Sequence, residues 1–104
     1  MMKPITIRLA GVKFDNCQEN IKLYSYPSFN IYQVTRENNN PHDPNAVRIG
    51  IGNCELGYLP RHVAQVVAPL IDTGSSFMAE HVALNECPPH ETVGLTVKII
   101  ETTK

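Results

Sequence analysis

Ile5, Ile7 and Leu9 alternate with Thr6, Arg8 and Ala10 near the start of the chain. That period of two predicts a half-buried strand over residues 4–13, ending at Lys13-Phe14. Residues 15–28 are polar, and a single helical turn over Ile21–Tyr24 is all the regular structure they suggest. Aromatic and β-branched residues return in Phe29–Glu37, a second strand with Arg36 at its end. Ala46–Ile51 alternates again, Gly52-Asn53 is a two-residue hairpin signal, and Cys54–Leu59 is the partner strand. Pro60 suits the first turn of a helix, where a missing N–H costs nothing. Val63, Val66, Val67, Leu70 and Ile71 then recur at helical spacing, with a break expected at Pro69 and an end at Asp72-Thr73-Gly74. Phe77–Leu84 and Val93–Glu101 read as two last strands around a proline-bearing loop at Asn85–Thr92. The pattern predicts a mainly β chain with one or two helices, folded as a small, partly open β-barrel.

Composition narrows the function classes. A length of 104 residues is one domain, 1–104, and 42% hydrophobic with 18% charged residues is ordinary globular usage. Nine Lys and Arg against ten Asp and Glu leave a net charge of −1, so binding of a polyanion by bulk charge is excluded and only a local basic patch would serve. No apolar run has the roughly 20 residues a membrane span needs, and the start lacks the apolar stretch of a signal peptide. A cytoplasmic protein with no membrane partner is expected. Cys17, Cys54 and Cys87 are odd in number and widely spaced, which favours reduced thiols over a disulfide framework.

The densest turn signal is Asn38-Asn39-Asn40-Pro41-His42-Asp43-Pro44-Asn45. Prolines at both ends stiffen the loop, so Asn40, His42 and Asp43 offer donors, a flat ring and an acceptor with little entropy left to lose. The structural alternative is a turn in which Asp43 and Asn45 bond neighbouring backbone N–H groups. Lys13, Arg36, Arg48 and Arg61, with His42 and His62, stand near turns. A barrel can gather them with the rings of Phe14, His42 and Tyr58 into the mixture of cations and stacking surfaces that single-stranded nucleic acid needs. Scattered solvated charges would look the same. Cys87-Pro88-Pro89-His90 has the spacing of two zinc ligands, but no second pair answers it. Neither a phosphate-binding glycine loop nor a nucleophile elbow is present, so no enzyme and no cofactor is expected.

Several of these segments together resemble the HIRAN domain pattern. They are Ala10-Gly11-Val12-Lys13-Phe14, Gln18-Glu19-Asn20-Ile21, Arg36-Glu37, Asn40–Val47, Leu56-Gly57-Tyr58-Leu59-Pro60-Arg61 and Ala68–Gly74, followed by the last strand. The resemblance is to the free-standing bacterial and phage type. It implies an OB-like barrel that binds the 3′-hydroxyl end of single-stranded DNA, with a DNA repair or remodelling protein as a further partner. The implied DNA-binding residues are Lys13, Phe14, Asn40, Pro41, His42, Asp43, Tyr58 and Arg61. In that site Asp43 would accept a hydrogen bond from the terminal hydroxyl, where a phosphate would be repelled. Two positions depart from the pattern: His42 replaces the usual tyrosine, and Thr92–Leu95 supplies no ring for a base. The rival readings are an accessory protein-interaction module that binds no DNA, and a metal-assisted phosphodiester hydrolase built on His42, Asp43 and Asp15.

Overall fold

A computed structural model describes residues 1–14, 16–25 and 31–103. The expected alternation produces six strands: β1 (Ile5–Arg8), β2 (Ile31–Arg36), β3 (Val47–Ile51), β4 (Cys54–Tyr58), β5 (Ser76–Asn85) and β6 (Gly94–Thr103). Helix α1 (Cys17–Tyr24) follows β1, and α2 (Arg61–Asp72) follows β4. All strand pairs are antiparallel, in the order β1-β6-β5-β2-β3-β4. The sheet curls into an OB-like half-barrel, helped by register shifts at Ile49/Gly50, Ser76/Phe77 and His81/Ala83, because a bulge bends a strand and increases its twist. At one end the two outer strands are brought together: Ala10, just beyond β1, bridges Tyr58 at the end of β4.

Inward-facing residues of every strand and both helices build the core. Tyr32, Val47, Ile49, Leu56, Leu95, Val97 and Ile99 are fully buried, and each buried aliphatic side chain of this size contributes roughly 1.5–3 kcal/mol. On α2 the buried stripe is Val63, Ala64, Val67 and Ala68, while Val66, expected on the inner face, is half exposed. The helix is not broken at Pro69. Its exposed ring lies in the last helical turn, so the lost N–H bond to residue 65 falls on the solvent side. The end is set further on, where Ser75 N–H reaches Leu70 C=O (2.9 Å) and Gly74 N–H reaches Ile71 C=O (3.0 Å). Pro60 is likewise outside the helix, with φ −56° and ψ 150°, and its carbonyl accepts from Val63 and Ala64 N–H.

Two expectations near the N-terminus are corrected. Strand β1 stops at Arg8, and Lys13-Phe14 lies in a turn rather than at a strand end. Gly11, at φ +68°, turns the chain there, a conformation costly for any residue with a Cβ. The single turn expected at Ile21–Tyr24 is an eight-residue helix. Tertiary contacts sustain it: Cys17 and Ile21 are buried one turn apart, and Gln18 binds three backbone groups. Its Nε2 donates to Val12 C=O and Val93 C=O, and its Oε1 accepts from Val93 N–H, each at 2.8 Å. The predicted start of the second strand at Phe29, and the end of the polar segment at Tyr26–Ser28, lie outside the described residues.

Candidate functional site

The proline-flanked loop is held from its own side chains outward. Asn40 Oδ1 accepts from the backbone N–H groups of His42 (2.8 Å) and Asp43 (3.1 Å). Asp43 Oδ1 accepts from Asn45 N–H at 2.9 Å, the local turn anticipated as the structural alternative. Two arginines then bind the loop to the rest of the fold. Arg61, the first residue of α2, donates from Nη2 to His42 C=O at 2.6 Å. Arg36 donates to Pro44 C=O and Ala46 C=O and pairs with Asp72 of α2 at 3.1 Å. Arg36, one of the cations expected near turns, is therefore committed inside the fold, because its planar fork matches carbonyl and carboxylate partners around it.

Between this loop, the Gly11–Phe14 turn and the end of β4 lies a cavity of about 400 Å³. Its walls include Phe14, Asn40, His42, Asp43, Tyr58 and Arg61, and the remainder is small or apolar, Ala10, Gly11, Ala46 and Leu59. That volume falls within the roughly 300–1,000 Å³ common for ligand sites. Lys13 and Pro41 are exposed and do not line it. His62 is exposed on α2 outside the cavity, and Arg48 faces Tyr58 across the β3–β4 pair, donating to Gly52 C=O at 3.3 Å. Phe14 is 70% exposed at the rim, so its ring is open to solvent at the cavity mouth.

The close approach of Ala10 to Tyr58 depends on Gly57. A Cβ there would stand 2.9 Å from Ala10 C=O and 3.1 Å from Leu9 Cβ, too near for any larger residue. The Tyr58 hydroxyl donates into the Glu37 carboxylate, 2.9 Å from both oxygens. Burial first, then the Glu37 hydrogen bond and the negative charges of Glu37 and Glu55, push the phenol well above its ordinary range, with Arg48 opposing. It stays protonated and offers the cavity a ring. Glu37 was not among the expected site residues. Its partner Tyr58 ends β4, 21 residues away in the sequence, and nothing local in Arg36-Glu37-Asn38 signals the contact.

Among the described residues no group of three or more His, Cys, Asp or Glu converges as a metal site. Cys87 and His90 sit in an exposed turn closed by His90 N–H to Cys87 C=O at 2.9 Å. Asp15, named with His42 and Asp43 for a hydrolase, lies outside the described residues. No described helix is long and apolar enough to cross a membrane.

A protein from Lactobacillus plantarum, solved by crystallography, superposes with a TM-score of 0.68 at 19% identity, covering 96% of this chain and 100% of that one. The crystal structure of the HIRAN domain of human HLTF superposes with a TM-score of 0.58 at 15% identity, covering 92% of this chain and 74% of that one. At these identities the likeness is one of fold. No curated protein matches the sequence. The HIRAN domain profile matches residues 10–100, from the Ala10 bridge through the loop, the cavity and α2 to the last strand. Over almost its whole length, the chain belongs to the HIRAN domain family.

Proposed function

We propose that this HIRAN domain, a member of a family of DNA-binding modules, binds single-stranded DNA by its 3′-hydroxyl end. The observation that carries this is the convergence on one cavity of rings from three separate segments (Phe14, His42 and Tyr58) with the Asp43 carboxylate and the Arg61 guanidinium. Rings take bases by stacking and a guanidinium takes phosphate, neither of which depends on sequence. A carboxylate beside a phosphate backbone is repulsive, so a DNA contact by Asp43 makes sense where the strand ends in a hydroxyl that can donate to it. Among the described residues its Oδ2 takes no hydrogen bond, while Oδ1 is used by Asn45 N–H. Lys13, exposed beside Phe14, is assigned to a phosphate further along the strand, and Pro41 to keeping the loop stiff. No catalytic step is assigned.

The internal bonds of Asn40 and Asp43 favour a second reading, in which the loop is a structural turn and the domain engages a protein instead. Titration with 5′-labelled oligonucleotides ending in 3′-hydroxyl or 3′-phosphate, and with circular single strands, separates the two. Tighter binding of the 3′-hydroxyl end is expected. Equal binding of all three would reject end recognition, and no binding of any would favour the protein partner.

A further inference from the structure

Glu37 does not line the cavity, yet it touches both sides of it. Its two carboxylate oxygens hold the Tyr58 hydroxyl on β4, and Oε1 also accepts from Asn40 Nδ2 at 3.0 Å. Asn40 in turn holds the N–H groups of His42 and Asp43. One half-buried carboxylate thus joins the stacking ring to the backbone that aims Asp43. Both donors reach Oε1, and an amide oxygen also offers two lone pairs, so glutamine can keep both contacts and only truncation of the side chain removes the link.

We propose that Glu37 is the positioning residue for end selectivity: it holds the Tyr58 ring and the Asp43 loop at one spacing, so that a stacked terminal base presents its 3′ hydroxyl to Asp43. This rests on the 3′-end reading above. Without the link, ring and loop move independently. A base still stacks, but its sugar is no longer held against the carboxylate, and hydroxyl and phosphate ends are distinguished less well. Tyr58→Phe keeps the ring and removes the same link from the other side. The two substitutions should therefore not add, as expected for groups acting through one contact.

The test uses the parent protein, Glu37→Ala, Tyr58→Phe and the double variant. Each is titrated with 5′-labelled oligothymidine ending in 3′-hydroxyl or 3′-phosphate, and the His42 and Asp43 amide resonances are recorded without DNA. For Glu37→Ala, affinity for the 3′-hydroxyl end should fall about tenfold, the loss of roughly one charge-assisted hydrogen bond. Affinity for the 3′-phosphate end should change by less than about twofold, since the lost contact serves hydroxyl inspection. Tyr58→Phe should cost a similar factor alone and little in the Glu37→Ala background. The two amides should shift on Tyr58→Phe alone and not when Glu37 is already replaced. Equal losses at both ends, or full additivity, would overturn the role of Glu37 while leaving end binding intact. A parent protein that binds both ends alike would instead overturn the end-binding reading, and amides moving equally in both backgrounds would then reject the coupling as well.

Discussion

Ala10 and Tyr58 exchange both of their backbone hydrogen bonds, each 2.8 Å long, and so join the chain beyond β1 to the end of β4. The pairing brings the Gly11–Phe14 turn beside the Asn40–Asp43 loop, and the cavity lies where they meet. Closure of the half-barrel and construction of the site are the same event.

Gly57→Ala tests that closure. The added methyl would stand 2.9 Å from Ala10 C=O, a backbone atom that cannot swing aside. A destabilisation of about 1–3 kcal/mol is expected, in the range of overpacking changes. Thermal melts would show it, and DNA binding should weaken in the residual folded protein. An unchanged melting temperature would mean that the bridge contributes nothing.

Asp43→Asn is the cleaner probe of hydroxyl recognition, because it preserves an acceptor for Asn45 N–H. Loss of a charge-assisted bond to the terminal hydroxyl costs roughly 1.5–3 kcal/mol, or about 10- to 150-fold in affinity. Oligonucleotides ending in 3′-phosphate should bind the variant no worse than the parent. A matched loss for both ends, with the fold intact, would argue for a structural carboxylate.

Salt dependence counts the cations that reach phosphate. With Arg36 neutralised by Asp72, Lys13 and Arg61 remain of the expected phosphate contacts. Arg61 has one Nη on His42 C=O, and its charge is unpaired by any carboxylate among the described residues. The slope of log affinity against log salt should be about −1.4 for single strands, becoming shallower by about 0.7 for Lys13→Ala or Arg61→Ala. Arg36→Ala should lower the melting temperature and leave the slope alone. A much steeper slope in the parent would require a broader basic surface.

Alkaline stability should report the tyrosines. Burial raises Tyr32 from 10.0 to about 12, and Tyr58 is raised as well, so both hold their protons more tightly folded than unfolded. The resulting stabilisation is complete below about pH 10, the unfolded value, and is lost as pH rises through the folded values. Melting temperatures should therefore be insensitive to these two groups up to pH 10 and fall beyond it. Tyr58→Phe should make that fall shallower. Ultraviolet titration of tyrosinate in native and unfolded protein checks the order directly.

Periodicity and turn chemistry determined most of the strands, the Gly52-Asn53 hairpin and the helix between Pro60 and Gly74, because each is a local property that a few consecutive residues express. The residues of the candidate site were legible too, as a family pattern and as rings and charges near turns. Tertiary structure decided what those residues do for one another. Helix α1 exists because Gln18 finds Val12 and Val93, and Arg36 is withdrawn from solvent because α2 places Asp72 beside it. Glu37, just beyond β2, gains its place only when the sheet carries the Tyr58 hydroxyl of β4 to its carboxylate. Hydrogen bonds and ion pairs are short-ranged and depend on direction. Their partners are chosen by how the sheet curls and closes, which the local pattern of the chain does not encode.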